Sequence, residues 1–251
     1  MLINTKTSLD STSAPGLAES WNFFDRVYCI SIDERGDRRA QARRQFAETG
    51  LLDRVEFVIV PRHPANRVKG IFESHMLCLK KGLKAGARHI LVFEDDVFFR
   101  NVNSRALRAS CAHLAKMDNW NAFFLGCLTA ESRKTPAKSL VAITYRCLAH
   151  AYALNASFAE RIIREEWNGI PFDELLRRNN ADFFALYPMI AFQGLAGSDN
   201  QTVMLERLRN FFGGLPFIQR VNEWHQNQKG LFIAVHLAVF LVLGALTYSF
   251  W

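Results

Sequence analysis

Three adjacent carboxylates, Glu94, Asp95 and Asp96, directly follow an apolar run at positions 89–93. The run favours a buried strand, and unpaired charges are very costly to bury, so the acids should lie where this strand emerges at its carboxyl end. Open α/β sheets place their ligand sites at that edge, and clustered carboxylate oxygens suit Mg²⁺ or Mn²⁺ that carries a phosphorylated substrate. The alternative is a solvated turn between two strands.

Basic side chains follow another predicted strand, at 26–32, in the same way. Arg35, Arg38 and Arg39 come just after this strand, where guanidinium groups and a helix amino terminus can meet a base, a ribose or a phosphate. The alternative for each of them is a solvated position on a helix face. The two groups together indicate a site for an anionic, metal-bound ligand.

Alternating strands and helices would hold these residues in place. The pattern predicts strands at 26–32, 55–60, 89–93, 121–126, 142–146, 150–154, 184–187 and 190–193, and helices at 38–48, 68–84, 106–117, 156–167 and 171–178. Asp37 is expected to cap the first helix. This βαβ order predicts an α/β fold with a mixed, mostly parallel sheet flanked by helices, in one domain over 21–228 after a flexible segment over 1–20.

The last 21 residues, 231–251, carry no charged side chain. As a helix they would span roughly 30 Å, the hydrocarbon thickness of a bilayer, which predicts a single-pass transmembrane anchor over 229–251. A buried core helix is the alternative. The first residues lack the apolar region of a signal peptide, and Arg220 and Lys229 precede the uncharged run at 231–251, so the globular domain is expected to face the cytosol.

The net charge of +7 could attract nucleic acid or membrane lipid. The densest basic cluster, Arg38, Arg39, Arg43 and Arg44, falls on one predicted helix without a recognised nucleic-acid motif, so attraction to anionic lipid is favoured and no nucleic-acid partner is expected. The five cysteines form no CxxC pair, which favours reduced thiols over disulfides or a zinc site.

Seven segments extend this pattern over residues 26–202. In chain order they read ISIDERGDRR, GIFESH, LVFEDDV, WNAFFLG, AHAYAL, PFDELL and YPMIAFQGLAGSDNQ. Together they resemble glycosyltransferase family 25, which includes bacterial lipooligosaccharide galactosyltransferases and collagen hydroxylysine galactosyltransferases. The resemblance implies a GT-A type nucleotide-sugar-binding fold, a nucleotide-sugar donor, a divalent cation (Mn²⁺ or Mg²⁺), and transfer with inversion at the anomeric carbon.

The resemblance also implies a cation site. A departing diphosphate builds up charge that a divalent cation neutralises, and Asp96 is the leading ligand, with Glu94 or Asp95 completing the site or holding the ribose. The wider fold usually carries DxD here, and this chain has Glu at the first position, which leaves the ligand assignment open. His150 could supply a third ligand, or it could be a hydrogen-bonded core residue.

For the donor, the resemblance implies contacts from Arg38 or Arg39. Ser74 and His75 match a Ser-His pair of the family, and His75 could face the donor pocket or fill a helix interface. An inverting transfer also needs a general base, and Asp173 in PFDELL and Asp199 in GSDNQ are the two carboxylates in matching positions. Asp173 could instead serve a helix amino terminus, and Asp199 an ordinary turn.

The predicted function is therefore transfer of a hexose from a nucleotide-sugar donor to a glycan or lipid-linked acceptor at a membrane. The alternative is a membrane-tethered binding or scaffold protein that keeps the fold without catalysis. The identity of the sugar depends on a few side chains, and the acceptor depends on loops that differ between relatives.

Overall fold

The computed structural model describes residues 16–194, 214–230, 237, 239 and 240. The strands in these ranges are β1 (Arg26–Ile32), β2 (Val55–Val60), β3 (His89–Glu94), β4 (Val97–Phe99), β5 (Ala122–Lys134), β6 (Leu140–Asn155), β7 (Phe183–Leu186) and β8 (Ala191–Gln193). The α-helices are α1 (Gly36–Glu48), α2 (Arg67–Lys84), α3 (Ser104–Leu114), α4 (Ala156–Ile162), α5 (Phe172–Arg178) and α6 (Gly214–Asn227). Asp199 lies outside the described residues.

Six strands form one sheet in the order β2-β1-β3-β6-β5-β7. Strand β1 pairs in parallel with both β2 and β3, and β5 pairs in parallel with β7. Strand β6 runs antiparallel to both of its neighbours, β3 and β5, so it alone is reversed within this sheet. Strands β4 and β8 form a separate antiparallel ribbon. The prediction of a mixed sheet with flanking helices is confirmed for this part of the chain, but the six-stranded sheet has as many antiparallel pairings (β3–β6, β5–β6, β6–β7) as parallel ones (β1–β2, β1–β3, β5–β7).

Both faces of the sheet are buried, as the unbroken apolar run in β3 predicts. Because successive strand residues point to opposite faces, Ile90 and Val92 join one core, and Leu91 and Phe93 join the other. The first core packs against α2, α4 and α5, and the second against α1 and α3. This two-sided burial fixes the carboxyl end of β3, where the three acids follow.

Several predicted boundaries differ from the structure. Helix α1 starts at Gly36 with Arg35 at its amino-terminal cap, so Asp37 lies in the first turn and does not cap the helix. The strand predicted at 121–126 continues to Lys134, and the two strands predicted at 142–146 and 150–154 form the single strand β6. Register shifts between β5 and β6 from Phe124 onward disrupt the simple alternation that the sequence pattern relies on.

The β4–β8 ribbon and α6 pack closely on β5. A side chain at Gly126 would place its Cβ 1.8 Å from the carbonyl oxygen of Ala191, so only glycine permits this approach. Gln219 in α6 donates to the same carbonyl at 2.8 Å, and the buried carboxylate of Glu223 accepts a hydrogen bond from the backbone N–H of Met189. Helix α6 therefore holds the segment that leads into β8.

The predicted membrane anchor over 229–251 is corrected by the structure. Across the ranges described above, no helix is both long and apolar enough to cross a bilayer. Helix α6, which leads toward the predicted anchor, has 14 residues, and it buries the polar side chains of Gln219 and Glu223 against the protein. The predicted anchor, the membrane localisation and the lipid contact through a helix are therefore not supported.

Candidate functional site

A cleft opens at the carboxyl ends of β1 and β3, the edge at which the acids were predicted to lie. The start of α1, the β2–α2 loop, helix α2 and the end of β8 surround it. Predicted site residues that line the cleft are Arg38, Ser74, His75, Glu94, Asp95 and Asp96. The structure thus brings together six predicted residues from three separate segments of the chain.

Asp95 is tied to the end of β1. The Ser31 hydroxyl donates to Asp95 Oδ2 at 2.6 Å, and Arg39 Nη1 donates to Ser31 Oγ at 3.2 Å. Arg39 also donates to the backbone oxygens of Ile32 at 2.6 Å and Asp33 at 2.8 Å. Burial raises the pKa of Asp95, while the Ser31 hydrogen bond and Arg38 oppose that rise. Arg39 therefore braces the β1–α1 turn and is not among the residues that line the cleft.

Arg38 lies between the two aspartates. Its Nη1 is 3.6 Å from Asp95 Oδ1 and 3.5 Å from Asp96 Oδ2, and its side chain is 14% exposed. Arg35 instead pairs with Asp37, with its Nη2 2.9 Å from Asp37 Oδ2, and does not line the cleft. Of the three predicted donor-binding arginines, Arg38 is the one that the cleft presents.

Asp96 has one oxygen in contact with the protein and one without a hydrogen bond. Gln193 Nε2 donates to Asp96 Oδ2 at 3.2 Å, which is the oxygen that also faces Arg38. The other oxygen, Oδ1, is buried and has no hydrogen-bond partner among the described residues. Burial and the nearby charge of Glu94 raise the pKa of Asp96 to about 7, although Arg38 opposes the shift.

Glu94 forms the inner end of the cleft together with His75. The His75 ring stacks on Phe172 with 4.3 Å between ring centroids, and its Nδ1 lies 3.0 Å from the Tyr152 hydroxyl. His75 Nε2 lies 3.4 Å from Glu94 Oε1. Burial lowers the pKa of His75 to about 4 and raises the pKa of Glu94 to about 8, the latter with help from the charges of Asp173 and Asp95.

Ser74, the neighbour of His75, uses its hydroxyl inside the helix. Its Oγ donates to the Gly70 carbonyl at 2.6 Å, although the residue also lines the cleft. This hydrogen bond supports the backbone of α2. Ser74 therefore contributes to the shape of the cleft wall.

The carboxylates can be tested for their fit to a cation. Glu94, Asp95 and Asp96 line the cleft together with Arg38 and, on the wall formed by the β2–α2 loop and the start of α2, Arg62 and Arg67. Arg38 lies within 4 Å of both aspartates, and the oxygen Asp96 Oδ1 is buried without a hydrogen bond among the described residues. A small hard cation that keeps waters and phosphate oxygens as its other ligands needs only one or two carboxylates, and this donor set fits such an ion. No group of three or more His, Cys, Asp or Glu side chains that could hold a metal by itself occurs within the described residues.

His150 is not part of this donor set. It is buried on β6, it does not line the cleft, and burial lowers its pKa to about 4. His150 is thus not among the residues that the structure brings together in the cleft, and its role as a third metal ligand stays a prediction.

Asp173 lies at the start of α5 and faces a bend in β6. Its carboxylate accepts hydrogen bonds from the Tyr145 hydroxyl at 2.5 Å, from the Ala149 N–H at 2.9 Å and from the Leu148 N–H at 3.3 Å. Leu148 has a positive φ of 76°, which a non-glycine residue rarely adopts. Asp173 is not among the residues that line the cleft. Its role as general base stays a prediction.

Several residues that line the cleft or contact its lining were not predicted from the sequence. Gln193 ends β8 and Tyr152 lies within β6, and both reach the site through strand pairings between distant parts of the chain. His63 lines the opposite wall, and its Nδ1 accepts backbone N–H bonds from Ala65 at 3.2 Å and Asn66 at 2.9 Å. A polar residue at the end of an apolar strand, as in AFQ, was the one signal that could have identified Gln193.

Comparison with known proteins gives structural likeness alone. No protein-family model and no curated protein matches the chain. Among solved structures, it is similar to A197 from STIV, with 13% identity over 67% of this chain and 85% of the other and a TM-score of 0.43. It is also similar to mannose-1-phosphate geranyltransferase from Thermus thermophilus, with 11% identity, coverage of 64% and 73%, and a TM-score of 0.40. A glycosyltransferase involved in the glycosylation of the major capsid of PBCV-1 has 12% identity, coverage of 64% and 81%, and a TM-score of 0.40.

Proposed function

We propose that this chain is a glycosyltransferase that moves a hexose from a nucleotide-sugar donor to a glycan acceptor with the help of a divalent cation. The observation that carries the proposal is the buried oxygen Oδ1 of Asp96, which has no hydrogen bond among the described residues and lies in a cleft at the carboxyl ends of β1 and β3. A carboxylate oxygen in such a position is suited to a ligand that brings positive charge.

The electrostatics of the cleft support a cation. Burial and the charges of neighbouring carboxylates raise the pKa values of Asp96 and Glu94, and a bound cation would favour their ionised forms. Asp96, with Asp95 beside it, would hold the ion, which would neutralise charge that develops on a departing diphosphate. Arg38 would then contact the same phosphates as a second source of positive charge.

Other residues in the cleft and directly behind it would shape the cleft and orient the donor. Ser31 and Arg39 fix Asp95 and the β1–α1 turn, so the position of Asp95 is set before a ligand arrives. When Tyr152 donates to His75 Nδ1, the neutral ring carries its proton on Nε2 and donates it toward Glu94. That arrangement leaves a second oxygen of Glu94 for a sugar or ribose hydroxyl.

Two finer parts of the proposal do not rest on the geometry of the cleft. Membership of glycosyltransferase family 25 and inversion at the anomeric carbon rest on the sequence resemblance. Asp173 and Asp199 remain the two predicted general bases. For Asp173 the alternative is a structural role, because its carboxylate accepts hydrogen bonds from β6.

A second candidate function is binding of a nucleotide-sugar without transfer. The position of Arg38 favours it, because a guanidinium 3.5–3.6 Å from both aspartates can offset their charge without a metal. The two candidates differ in whether the cation is required and whether the glycosidic bond is broken.

Nucleotide binding and donor hydrolysis by the purified full chain would test the proposal. Binding of UDP, GDP and dTDP is measured by calorimetry with MnCl₂ or with EDTA, and hydrolysis of the matching hexose donors is followed by release of the nucleotide. We expect one nucleotide to bind with Mn²⁺ at least tenfold more tightly than with EDTA, and its donor to be hydrolysed slowly.

Asp37→Asn is a matched control, because it removes a carboxylate that is exposed and does not line the cleft. It should behave like the wild type, whereas Asp96→Asn should lose the effect of Mn²⁺. Metal-independent binding without hydrolysis would favour the second candidate. Absence of nucleotide binding under both conditions would rule out both candidates.

A further inference from the structure

A second groove lies next to the cleft, across the β4–β8 ribbon. Phe98 pairs with Phe192 and Val97 pairs with Gln193 in this ribbon, so side-chain alternation puts Gln193 on one face and the two phenylalanines on the other. Gln193 lines the cleft, and Phe98 and Phe192 line the groove. The ribbon therefore has a separate surface on each face.

The groove is joined to the acidic cluster through the backbone. Gly194, which follows β8 and lines the groove, donates its N–H to the carbonyl oxygen of Asp96 at 2.7 Å. A ligand in the groove would therefore lie beside Gly194, whose backbone is hydrogen-bonded to that of Asp96, the candidate cation ligand. A second substrate of a transfer reaction has to bind next to the donor, and this groove adjoins the cleft, since Gln193 lines the cleft and Gly194 lines the groove.

Two arginines lie over the aromatic rings of the groove. The Arg100 guanidinium carbon is 5.1 Å from the centroid of the Phe98 ring, and that of Arg220 is 4.7 Å from the Phe192 ring. The two rings are themselves 5.7 Å apart. Stacking on a ring holds a guanidinium plane in place and leaves its N–H edges available to an anion.

The charge of the groove is positive. Arg220 is paired with Glu223 at 2.8 Å, so part of its charge is offset. Arg100 is exposed, and no carboxylate lies within 4 Å of its guanidinium in the described part of the chain. The lining contains no acidic residue, and Phe217, which is 54% exposed, adds an apolar edge.

We propose that this groove binds a sugar that carries a phosphate group, and that this sugar is the acceptor of the transfer. The role of this sugar as an acceptor rests on the proposed function. The chemistry of the ligand rests on the groove alone. One guanidinium fork already satisfies both oxygens of a carboxylate, whereas a phosphate has three terminal oxygens and can bind two forks. The apolar edge at Phe217 suits the face of a sugar ring.

Calorimetric titration of the full chain with glucose 6-phosphate, glucose and inorganic phosphate would test this. We expect glucose 6-phosphate to bind more tightly than either of the other two, because only it engages the arginines and the apolar edge together. Arg100→Gln should weaken its binding about tenfold, as expected for the loss of a charge-assisted hydrogen bond.

Arg43→Gln is the matched control. Arg43 is also an exposed arginine over a phenylalanine ring, with 4.6 Å between its guanidinium carbon and the centroid of Phe57, but it does not line the groove. Equal loss of affinity in the Arg43 and Arg100 variants would overturn the proposal, as would equal binding of glucose and glucose 6-phosphate.

Binding of UDP to the cleft, measured in the same samples, separates the two proposals. Binding of glucose 6-phosphate that depends on Arg100, in a protein that binds no nucleotide, would keep the groove as a site and refute the transferase. Nucleotide binding with hydrolysis, but no binding of glucose 6-phosphate, would support the transferase and refute the groove.

Discussion

Two partly enclosed carboxylates, Asp96 and Asp173, have opposite surroundings. Asp173 accepts three hydrogen bonds from β6, given by the Tyr145 hydroxyl and by two backbone N–H groups. Asp96 accepts hydrogen bonds from Gln193 and from Arg38 with the same oxygen, while its other oxygen has no hydrogen bond among the described residues. Both oxygens of Asp173 are hydrogen-bonded within the fold, whereas one oxygen of Asp96 has no hydrogen bond among the described residues.

The contrast separates two roles that look the same in the sequence. Each hydrogen bond to a charged group stabilises a fold by roughly 1.5–3 kcal/mol, so Asp173 is expected to stabilise the bend in β6 at Leu148. A buried oxygen without a partner reduces stability by a similar amount, and a fold keeps such a group where a ligand completes it. Stability and activity should therefore respond in opposite ways at the two positions.

The largest expected effect is the loss of donor hydrolysis in Asp96→Asn. The substitution removes the charge that would hold the cation, so hydrolysis should fall about 100-fold or more. The melting temperature should stay the same or rise, because a poorly compensated buried charge is removed. Nucleotide release and thermal melting of the same preparation measure both quantities. A variant that melts well below the wild type would show that Asp96 acts in the fold like Asp173.

The next effect is a loss of stability in Asp173→Asn. The amide keeps one acceptor oxygen but turns a donor toward the backbone N–H groups of β6, so the free energy of unfolding should fall by about 2–3 kcal/mol. In a chain of this size, that loss lowers the melting temperature by about 5–10 °C. If the melting temperature is unchanged and transfer is lost while UDP binding persists, Asp173 is the general base. The expected difference in role between Asp173 and Asp96 would then be wrong.

Stability should also depend on pH through the cleft. The pKa of Asp96 is raised to about 7 and that of Glu94 to about 8, so the folded state retains protons that the unfolded state releases near pH 4, and stability falls as pH rises between these values. His75 and His150, with pKa values lowered to about 4, act in the opposite direction, but only below about pH 6.5.

Between pH 6.5 and about 8, therefore, the carboxylates should determine most of the slope, because buried thiols with raised pKa values, such as those of Cys78 and Cys111, contribute only near the unfolded thiol pKa of about 8.5 and above. We expect the melting temperature in EDTA to fall between pH 6.5 and 8.5, and to fall less steeply in Asp96→Asn. Asp37→Asn should keep the wild-type slope, because the pKa of Asp37 is already lowered to about 2 by the hydrogen bond from Arg35. Identical slopes in all three proteins would contradict the role of Asp96.

The smallest effect is expected for Tyr145→Phe. It removes one of the three hydrogen bonds to Asp173 and keeps the ring that stacks on Phe124 with 4.6 Å between centroids. The free energy of unfolding should fall by about 1–2 kcal/mol, with donor hydrolysis unchanged. Chemical denaturation measures the first quantity. A loss of hydrolysis larger than the loss of stability would link the Asp173 network to the chemistry.

The sequence predicted the first half of the fold better than the second. Strands β1 and β2 match their predicted bounds, because short apolar runs there alternate with amphipathic helices. Strands β5 and β6 are longer than predicted, because their pairing is set by a partner strand and tolerates polar residues such as Glu131 and Arg133. Local pattern predicts the strands of a βαβ unit, whereas a long antiparallel pair is stabilised mostly by contacts between strands.

The same distinction applies to the site. The acids and Arg38 were predicted because each follows a strand that the pattern identifies, and the structure brings them into one cleft. His150 was predicted as a possible third ligand, but whether a histidine on a strand faces a site or a core depends on the neighbouring strands. The Asp173 network was missed because Tyr145 reaches it from β6, a different element of the sheet.

Strand β6 also has a consequence for the order of folding. It pairs with β3 through residues 151–155 and with β7 through residues 140–142, so the two halves of the sheet share one strand. During synthesis, the edge of β3 that precedes the acids has no partner until Asn155 and its neighbours have been made. Such late, long-range pairing slows folding and exposes an apolar edge. The strand that joins the two halves of the sheet is thus also the last strand to enter the sheet before β7.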